Sequence, residues 1–406
     1  MRRLLTLIVL LTLLTTACTI FGSQGSTSGN LAGLPTQTEN PPPTPVPTHT
    51  ASPTATQTPT ATPTETPTPV VYGPGNFPEN INPLTGLQVE DVTLLERRPT
   101  AVKIQLYPRS TRPPWGLSFA DIVYEYYHEG GLTRFTAIFY GNDVDLIGPI
   151  RSARFFDAHI MRMYKAVFAF GSGDYRVRNR LYNSEIAELL VSEFPAGCPP
   201  MCRIEPDTWD HLVTNTRDLS QYISDKGVEN GRQNLDGMKF DVLVPVGGEA
   251  GGQIVIRFSY GSINRWTYNL TLGTYQREQE TDNDDGHGED FAAFGDKLTE
   301  EQITADNLVV LFVPHEFYSR NPEMLEMLFT GSGTAYAFRD GRAYKVCWLR
   351  PTDKSVVTLA YAGPNGCQDA SELFPFKPGN TWYEIVGMKS EVTQENGNWR
   401  FVFTTP

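Results

Sequence analysis

The sequence predicts an α+β protein: an N-terminal mixed α/β sheet domain with packed helices, followed by a β-rich second domain. Three observations carry this. A hairpin signature around residue 130 leads into alternating strand and helix patterns. The composition then turns to Gly, Asn and Asp over Gly231–Gly252. Beyond that stretch almost every apolar run is short, β-branched or aromatic, and bounded by turn residues. The folded part is therefore divided into residues 80–232 and 240–406.

What precedes residue 80 is not read as fold. Met1-Arg2-Arg3, the apolar run Leu4–Leu14 and the small residues before Cys18 make residues 1–17 a lipoprotein signal peptide. The apolar run falls short of the ~20 residues that a membrane-spanning helix needs. A cysteine directly after "LTTA" completes a lipobox, so Cys18 is the expected lipidation site and membrane lipid the expected anchor. Residues 18–75 are mostly Thr, Pro, Ser and Gly. Such a segment buries too little to offset its ordering entropy and reads as a disordered tether. An extended chain of that kind, at ~3.1 Å per residue, reaches on the order of 150 Å. The expected location is the extracytoplasmic face of a bacterial membrane, with the folded body held away from the lipid.

Cysteine usage agrees with export. Besides Cys18 there are Cys198, Cys202, Cys347 and Cys367. Three pairings can be drawn, and the local ones, 198–202 and 347–367, need the fewest assumptions. Free thiols, or half of a zinc site at Cys198-Pro-Pro-Met-Cys202, are the alternatives. No second pair or histidine stands at ligand spacing, so no metal is expected. The net charge of −13 argues against nucleic acid as a partner.

In order along the first domain, "RPTAVKIQL" (Arg98–Leu106) reads as a strand through Ala101, Val102, Ile104 and Leu106. Ala120–Tyr140 reads as a hairpin turning at Gly130-Gly131, since both turn residues can take positive φ. With that turn, Glu129 faces Leu132, Tyr127 faces Arg134 and Glu125 faces Thr136. Ile122, Tyr124, Tyr126, Phe135, Ala137 and Phe139 then share a core face. Asp121, Glu125, Glu129, Arg134 and Thr136 share the polar one, with Glu125 diagonal to Arg134 and within salt-bridge reach. Arg151–Tyr164 follows as a helix with Ala153, Phe156, Ile160, Met163 and Tyr164 on one stripe and Arg151, Arg154 and Arg162 opposite. "YKAVFAFGSGD" is a strand entering a turn, and "NSEIAELLVSEF" a helix capped by Asn183 or Ser184. In the second domain a hairpin turns at Asp340-Gly341, and Pro322–Phe329 is the one helical stretch.

Catalytic signatures are absent: no GxSxG, no HExxH, no Walker loop and no Rossmann glycine pattern, and hence no cofactor is expected. "GSGD" (171–174) and "GSGT" (331–334) read as ordinary turns. The arginines of "GPIRSARFFD" (148–157) stand out more. Cations in the first turn of a helix oppose its dipole by a few tenths to ~1 kcal/mol each. An anion at that terminus would meet both guanidinium forks. The carboxylates of the hairpin, Asp121, Glu125 and Glu129, are the bland alternative, and the two readings are compatible. His211, beside Asp210 and near Asn215 in "TWDHLVTNT", has the neighbours of an oriented acid–base histidine but no nucleophile motif to serve. His287 lies in the acidic stretch "ETDNDDGHGED", whose spacing is not that of an EF-hand loop. Arg151, Arg154, Arg134, Glu125, Glu129, Asp121, His211 and Asn215 are thus the candidate ligand-binding residues.

These residues carry a resemblance. "NPLTGL", "RPTAVKI", "GLSFADIVYEYYHEGGLTRFTAIFY" and "GPIRSARFFD" resemble the YerB-type bacterial lipoproteins, as do "ITADNLVVLFVP" and "GSGTAYAFRDGRAYKVCW" in the second half. The likeness runs from about Asn82 to Gly387. It implies a two-domain, membrane-anchored extracytoplasmic protein and implies no activity. The expected role is binding or scaffolding in the cell envelope, through an Arg-lined polar cleft that takes an anionic envelope ligand or an envelope protein. An envelope enzyme acting on a phosphorylated precursor, as phosphotransferase or hydrolase, is the alternative.

Overall fold

The computed structural model describes residues 70–205, 210–281 and 289–406. Cys18, the signal peptide, most of the tether and His287 lie outside the described residues.

Strand β1 (Thr100–Gln105) forms where the first apolar run was read. β2 (Ile122–Glu129) and β3 (Leu132–Phe139) make the hairpin, with Gly130 and Gly131 at φ of 63° and 81°. The register differs from the expectation by one residue. A bulge between Tyr127 and Glu129 leaves Glu129 opposite Leu132 but puts Tyr126 opposite Arg134, Glu125 opposite Phe135 and Tyr124 opposite Thr136. Because strand side chains alternate, this slip moves one whole strand's faces relative to the other. Ile122, Tyr124 and Tyr126 share a face with Arg134, Thr136 and Ile138. Glu125 shares the opposite face with Phe135, Ala137 and Phe139, so the expected Glu125–Arg134 pair does not form. Both faces are buried, which is why apolar residues occur on each.

The helix expected from Arg151 starts only at Asp157: α1 spans Asp157–Tyr164. Pro149–Arg151 instead extends the sheet beside β1. Gln105 N–H donates to the Pro149 carbonyl (3.0 Å) and Arg151 N–H to that of Lys103 (2.9 Å). β4 (Val167–Phe170) lies parallel to β1. The turn after it ends in Asp174, whose side chain accepts from Arg176 N–H (2.9 Å) and caps α2 (Tyr175–Tyr182). The helix expected over "NSEIAELLVSEF" is replaced by a 3₁₀ turn, the strand β5 (Leu190–Ser192) and one helical turn, α3 (Glu193–Ala196). Pairing with β4 buries Leu190 and Val191 and overrides their helical spacing. Asn215 caps α4 (Thr216–Asp225) by accepting from Asp218 N–H at 2.7 Å.

In the second half the β-rich runs are strands, and the Asp340-Gly341 turn joins Gly331–Arg339 to Arg342–Arg350. "GSGT" is the start of the first of these rather than a turn. A side chain at Gly333 would lie 2.5 Å from the Trp348 indole nitrogen. Pro322–Phe329 is not helical: Glu323–Met327 pairs as a strand with His315–Arg320. Both local disulfides, Cys198–Cys202 and Cys347–Cys367, are present.

Among the described residues, eleven strands form one sheet. Thr381–Gly387 lies in it parallel to Asn307–Val313 on one side and to β2 on the other. Strands from both sides of Gly231–Gly252 therefore share a single sheet, and the fold is α+β. α1 and α2 cover one face. A second sheet, of seven strands, and α4 cover the other.

The two sheets meet at a buried charge cluster. Arg277 Nη2 donates to Glu125 at 2.8 Å and Arg277 Nη1 to Glu384 at 3.4 Å, with all three side chains essentially inaccessible. Thr133 donates to Glu125 (2.6 Å), and Asn264 donates to both carboxylates (3.0 and 3.2 Å). Trp266 Nε1 donates to Glu384 (3.1 Å). The rings of Phe135, Trp266, Phe294 and Trp382 surround the guanidinium at 4.9–5.2 Å. One cation faces two acids. Burial first, and then the neighbouring Glu125, raise the Glu384 pKa to about 8, so this carboxyl keeps its proton at neutral pH.

The folded protein holds a proton on Glu384 that the unfolded chain, at an ordinary 4.5, has released. The stability linked to it is complete below that value and is lost as pH rises through about 8. Glu384→Gln is expected to flatten this decline in urea titrations run from about pH 5 to about pH 9. Arg277→Met leaves two buried acids without their cation and is expected to cost on the order of 3–5 kcal/mol in the same titrations.

Candidate functional site

The opposite face of the large sheet carries the cations. Arg134 on β3 lies directly opposite Gln105 on β1, and Lys103 opposite Thr136. Arg151, on the segment flanking the other edge of β1, is brought beside Lys103 by the Ile104–Ile150 bridge. Residues directly across a ladder share a face, so these side chains form one patch at the end of β1.

At its base Lys103 is fully buried. Its Nζ contacts the Tyr126 hydroxyl, Thr136 Oγ1 (3.0 Å) and Asp157 Oδ1 (3.2 Å). Tyr126 and Thr136 also donate to Asp157 Oδ1, at 2.5 and 2.7 Å. Asp157 Oδ2 accepts from Arg154 N–H at 2.6 Å, which fixes the entry into α1. Burial outweighs the pull of Asp157 and lowers the Lys103 pKa to about 7, with Arg134 and Arg154 adding to the decrease.

Nearer the surface the arginines part company. Arg154 forms a two-pronged pair with Glu129, Nε to Oε2 at 2.6 Å and Nη2 to Oε1. Burial alone would raise the Glu129 pKa, but His128, with Nδ1 2.8 Å away, and then Arg154 hold it well below the usual carboxylate range. Arg154 is the partner that matters at neutral pH, because His128 at the bulge is itself neutral: burial, then Arg134, push its pKa to about 3. Arg151 pairs with Asp210. Arg134 Nη1 donates to the Ser152 carbonyl at 2.8 Å, an oxygen that Arg154 Nη1 approaches at 3.4 Å. Among the described residues Arg134 has no carboxylate within ion-pair distance. Burial first and Arg154 next lower its pKa to about 9, with Arg151 adding to the decrease and Glu129 opposing it. At neutral pH a guanidinium still carries its charge, so the strain shows as a cost in stability.

The other candidates lie apart from this patch. Glu125 belongs to the Arg277 cluster on the opposite face. Asp121 accepts from Tyr140 N–H (2.5 Å) and Asn82 Nδ2 (2.9 Å) and lines a separate cavity of about 550 Å³ with Asn82, Asp143 and Asn380. His211 Nδ1 is 3.5 Å from Glu205 and its ring is 6.2 Å from Trp115. Asn215 is engaged as a helix cap. Sequence reasoning missed Lys103 and Gln105. Their signal was the alternation in "VKIQL", which puts two polar residues on one face of a strand whose other face is wholly apolar.

Comparisons with known proteins agree with this architecture. Residues 84–229 match the family described as protein of unknown function (DUF3048), N-terminal domain, and residues 254–383 match its C-terminal domain. The chain is 26% identical over 306 residues to "Putative lipoprotein YerB" of Bacillus subtilis (strain 168), covering 75% of this chain and 85% of that one. It is also similar to the crystal structure of the YerB protein from Bacillus subtilis, with a TM-score of 0.60 and 22% identity over 75% of this chain and 96% of that one.

The base of the patch makes its own prediction. Lys103→Met strands Asp157 in the interior and is expected to cost on the order of 3 kcal/mol. The double change Lys103→Met/Asp157→Asn is expected to recover part of that loss in urea unfolding, since pair and partner are removed together. Additive losses would show that the two groups are not energetically linked.

Proposed function

The chain belongs to the YerB-type family, whose two halves are the N- and C-terminal DUF3048 domains, and from that premise we propose that it is a lipid-anchored envelope protein whose folded body binds an anionic group at Arg134, Arg151 and Arg154. The anchor rests on the lipobox at Cys18, the signal pattern before it, and the name of the Bacillus relative. The long Thr/Pro-rich segment suits a body that must reach away from the lipid into the wall.

The binding reading rests above all on Arg134. Its side chain is partly buried, it shares a carbonyl with a second arginine, and among the described residues no carboxylate lies within ion-pair distance, Glu129 offsetting its charge only from farther off. Such an arrangement is unfavourable in the free protein and is relieved by an anion that accepts from the guanidinium fork. Arg154 and Arg151 stand at the more exposed rim, already oriented by Glu129 and Asp210. Binding is favoured over catalysis because Lys103, whose depressed pKa would suit acid–base work, is closed off beneath Tyr126 and Asp157.

Arg134→Met separates a functional arginine from a structural one. Removing a half-compensated, partly buried charge is expected to leave stability unchanged or slightly raised, while sulfate and inorganic phosphate binding falls at least about tenfold by calorimetry. Loss of stability with unchanged anion binding would refute the assignment. For the anchor, Cys18→Ala is expected to move the exported protein from membrane to soluble fractions; retention on the membrane would refute the lipobox.

A further inference from the structure

Gln105 is 2% exposed, and among the described residues neither its Nε2 nor its Oε1 has a hydrogen-bond partner. Buried polar atoms are paired in the great majority of cases, and an orphan is costly. Gln105 leaves two. Its backbone is engaged, with N–H on the Pro149 carbonyl, so the strand is fixed and only the amide is free. That amide lies directly across the ladder from Arg134, on the face that carries Lys103 and Arg151. Among the described residues a cation without an ion-pair partner and an unpaired amide are therefore next to each other at one end of one strand.

From this juxtaposition, and resting on the anion-binding reading above, we infer that the ligand is an anionic polyol or sugar with a hydroxyl beside its charged group, and that Gln105 reads that hydroxyl. The chemistry of the amide distinguishes it from a bare anion. Sulfate offers acceptors only, which answer Arg134 and Gln105 Nε2 but leave Oε1 unpaired. A hydroxyl next to the charge donates to Oε1 while the anion accepts from Arg134, so that both orphans and the cation are satisfied together. The charge itself can be a phosphate ester or a carboxylate, since the guanidinium fork fits either.

The test compares sulfate, glycerol 1-phosphate and glucuronate by calorimetry on the mature chain at about pH 8, where the phosphate ester is fully ionised, in the parent and in Gln105→Met. The parent is expected to bind at least one of the two hydroxyl-bearing anions about tenfold more tightly than sulfate, the worth of one well-made buried hydrogen bond. Which of the two it prefers identifies the phosphate or the carboxylate source. Gln105→Met is expected to erase the preference, so that the three anions bind within about twofold of one another. A parent that binds sulfate as tightly as both polyols overturns the inference without any variant, and leaves anion binding at Arg134 standing. A preference that survives Gln105→Met overturns the role of Gln105. No binding of any of the three, in the parent, overturns this inference together with the reading it rests on.

Discussion

Arg277 is the residue on which the arrangement turns. It comes from the second sheet, reaches into the large one, and meets Glu125 on β2 and Glu384 on Thr381–Gly387. Those two strands are neighbours in the large sheet, although more than half of the folded chain separates them in sequence. A lone guanidinium among four aromatic rings would be too costly to bury; with two carboxyls it becomes a junction that holds strand to strand and sheet to sheet. The count of charges explains the protonation. Two ionised acids against one cation would leave an uncompensated negative charge in the interior, and a proton on Glu384 removes it.

The same junction sets up the opposite face. The bulge at His128 turns Glu125 toward Arg277 and leaves Arg134 pointing the other way. Had the hairpin kept regular register, Glu125 would have neutralised Arg134 and the arginine patch would hold matched pairs only. As it stands, Arg154 has Glu129 and Arg151 has Asp210, while Arg134 has a carbonyl and a neighbouring glutamine amide with nothing to bond. One extra residue in one strand therefore assigns one acid to holding the fold together and leaves one base without an ion-pair partner among the described residues.

Much of the fold could be read from sequence because its signals are local. The Gly130-Gly131 and Asp340-Gly341 turns, the β-rich second half and the two short-range disulfides all depend on residues close together in the chain. What escaped depends on distant ones. Nothing around Thr381 announces that it will pair with β2, and a bulge leaves no composition signal, so the faces of the hairpin were assigned wrongly. "RVRNRLY" looks too basic and polar for a packed helix, yet Val177 and Leu181 suffice to seat α2, whereas the more apolar "AELLVS" is drawn into an edge strand. At the site, the pairing of Arg154 with a hairpin carboxylate was legible from charge and spacing. The roles of Lys103 and Gln105 were not, because their importance comes from the cross-strand neighbours that β3 and Pro149–Arg151 supply.

Location of a bound anion would test the account most directly. In a crystal of the mature protein soaked in selenate, anomalous diffraction is predicted to show a peak within hydrogen-bonding distance of Arg134 and on the Gln105 side of its guanidinium. Selenate that instead collects only elsewhere, for example at Arg109 and Arg112 beside the separate cavity of about 450 Å³, would contradict it.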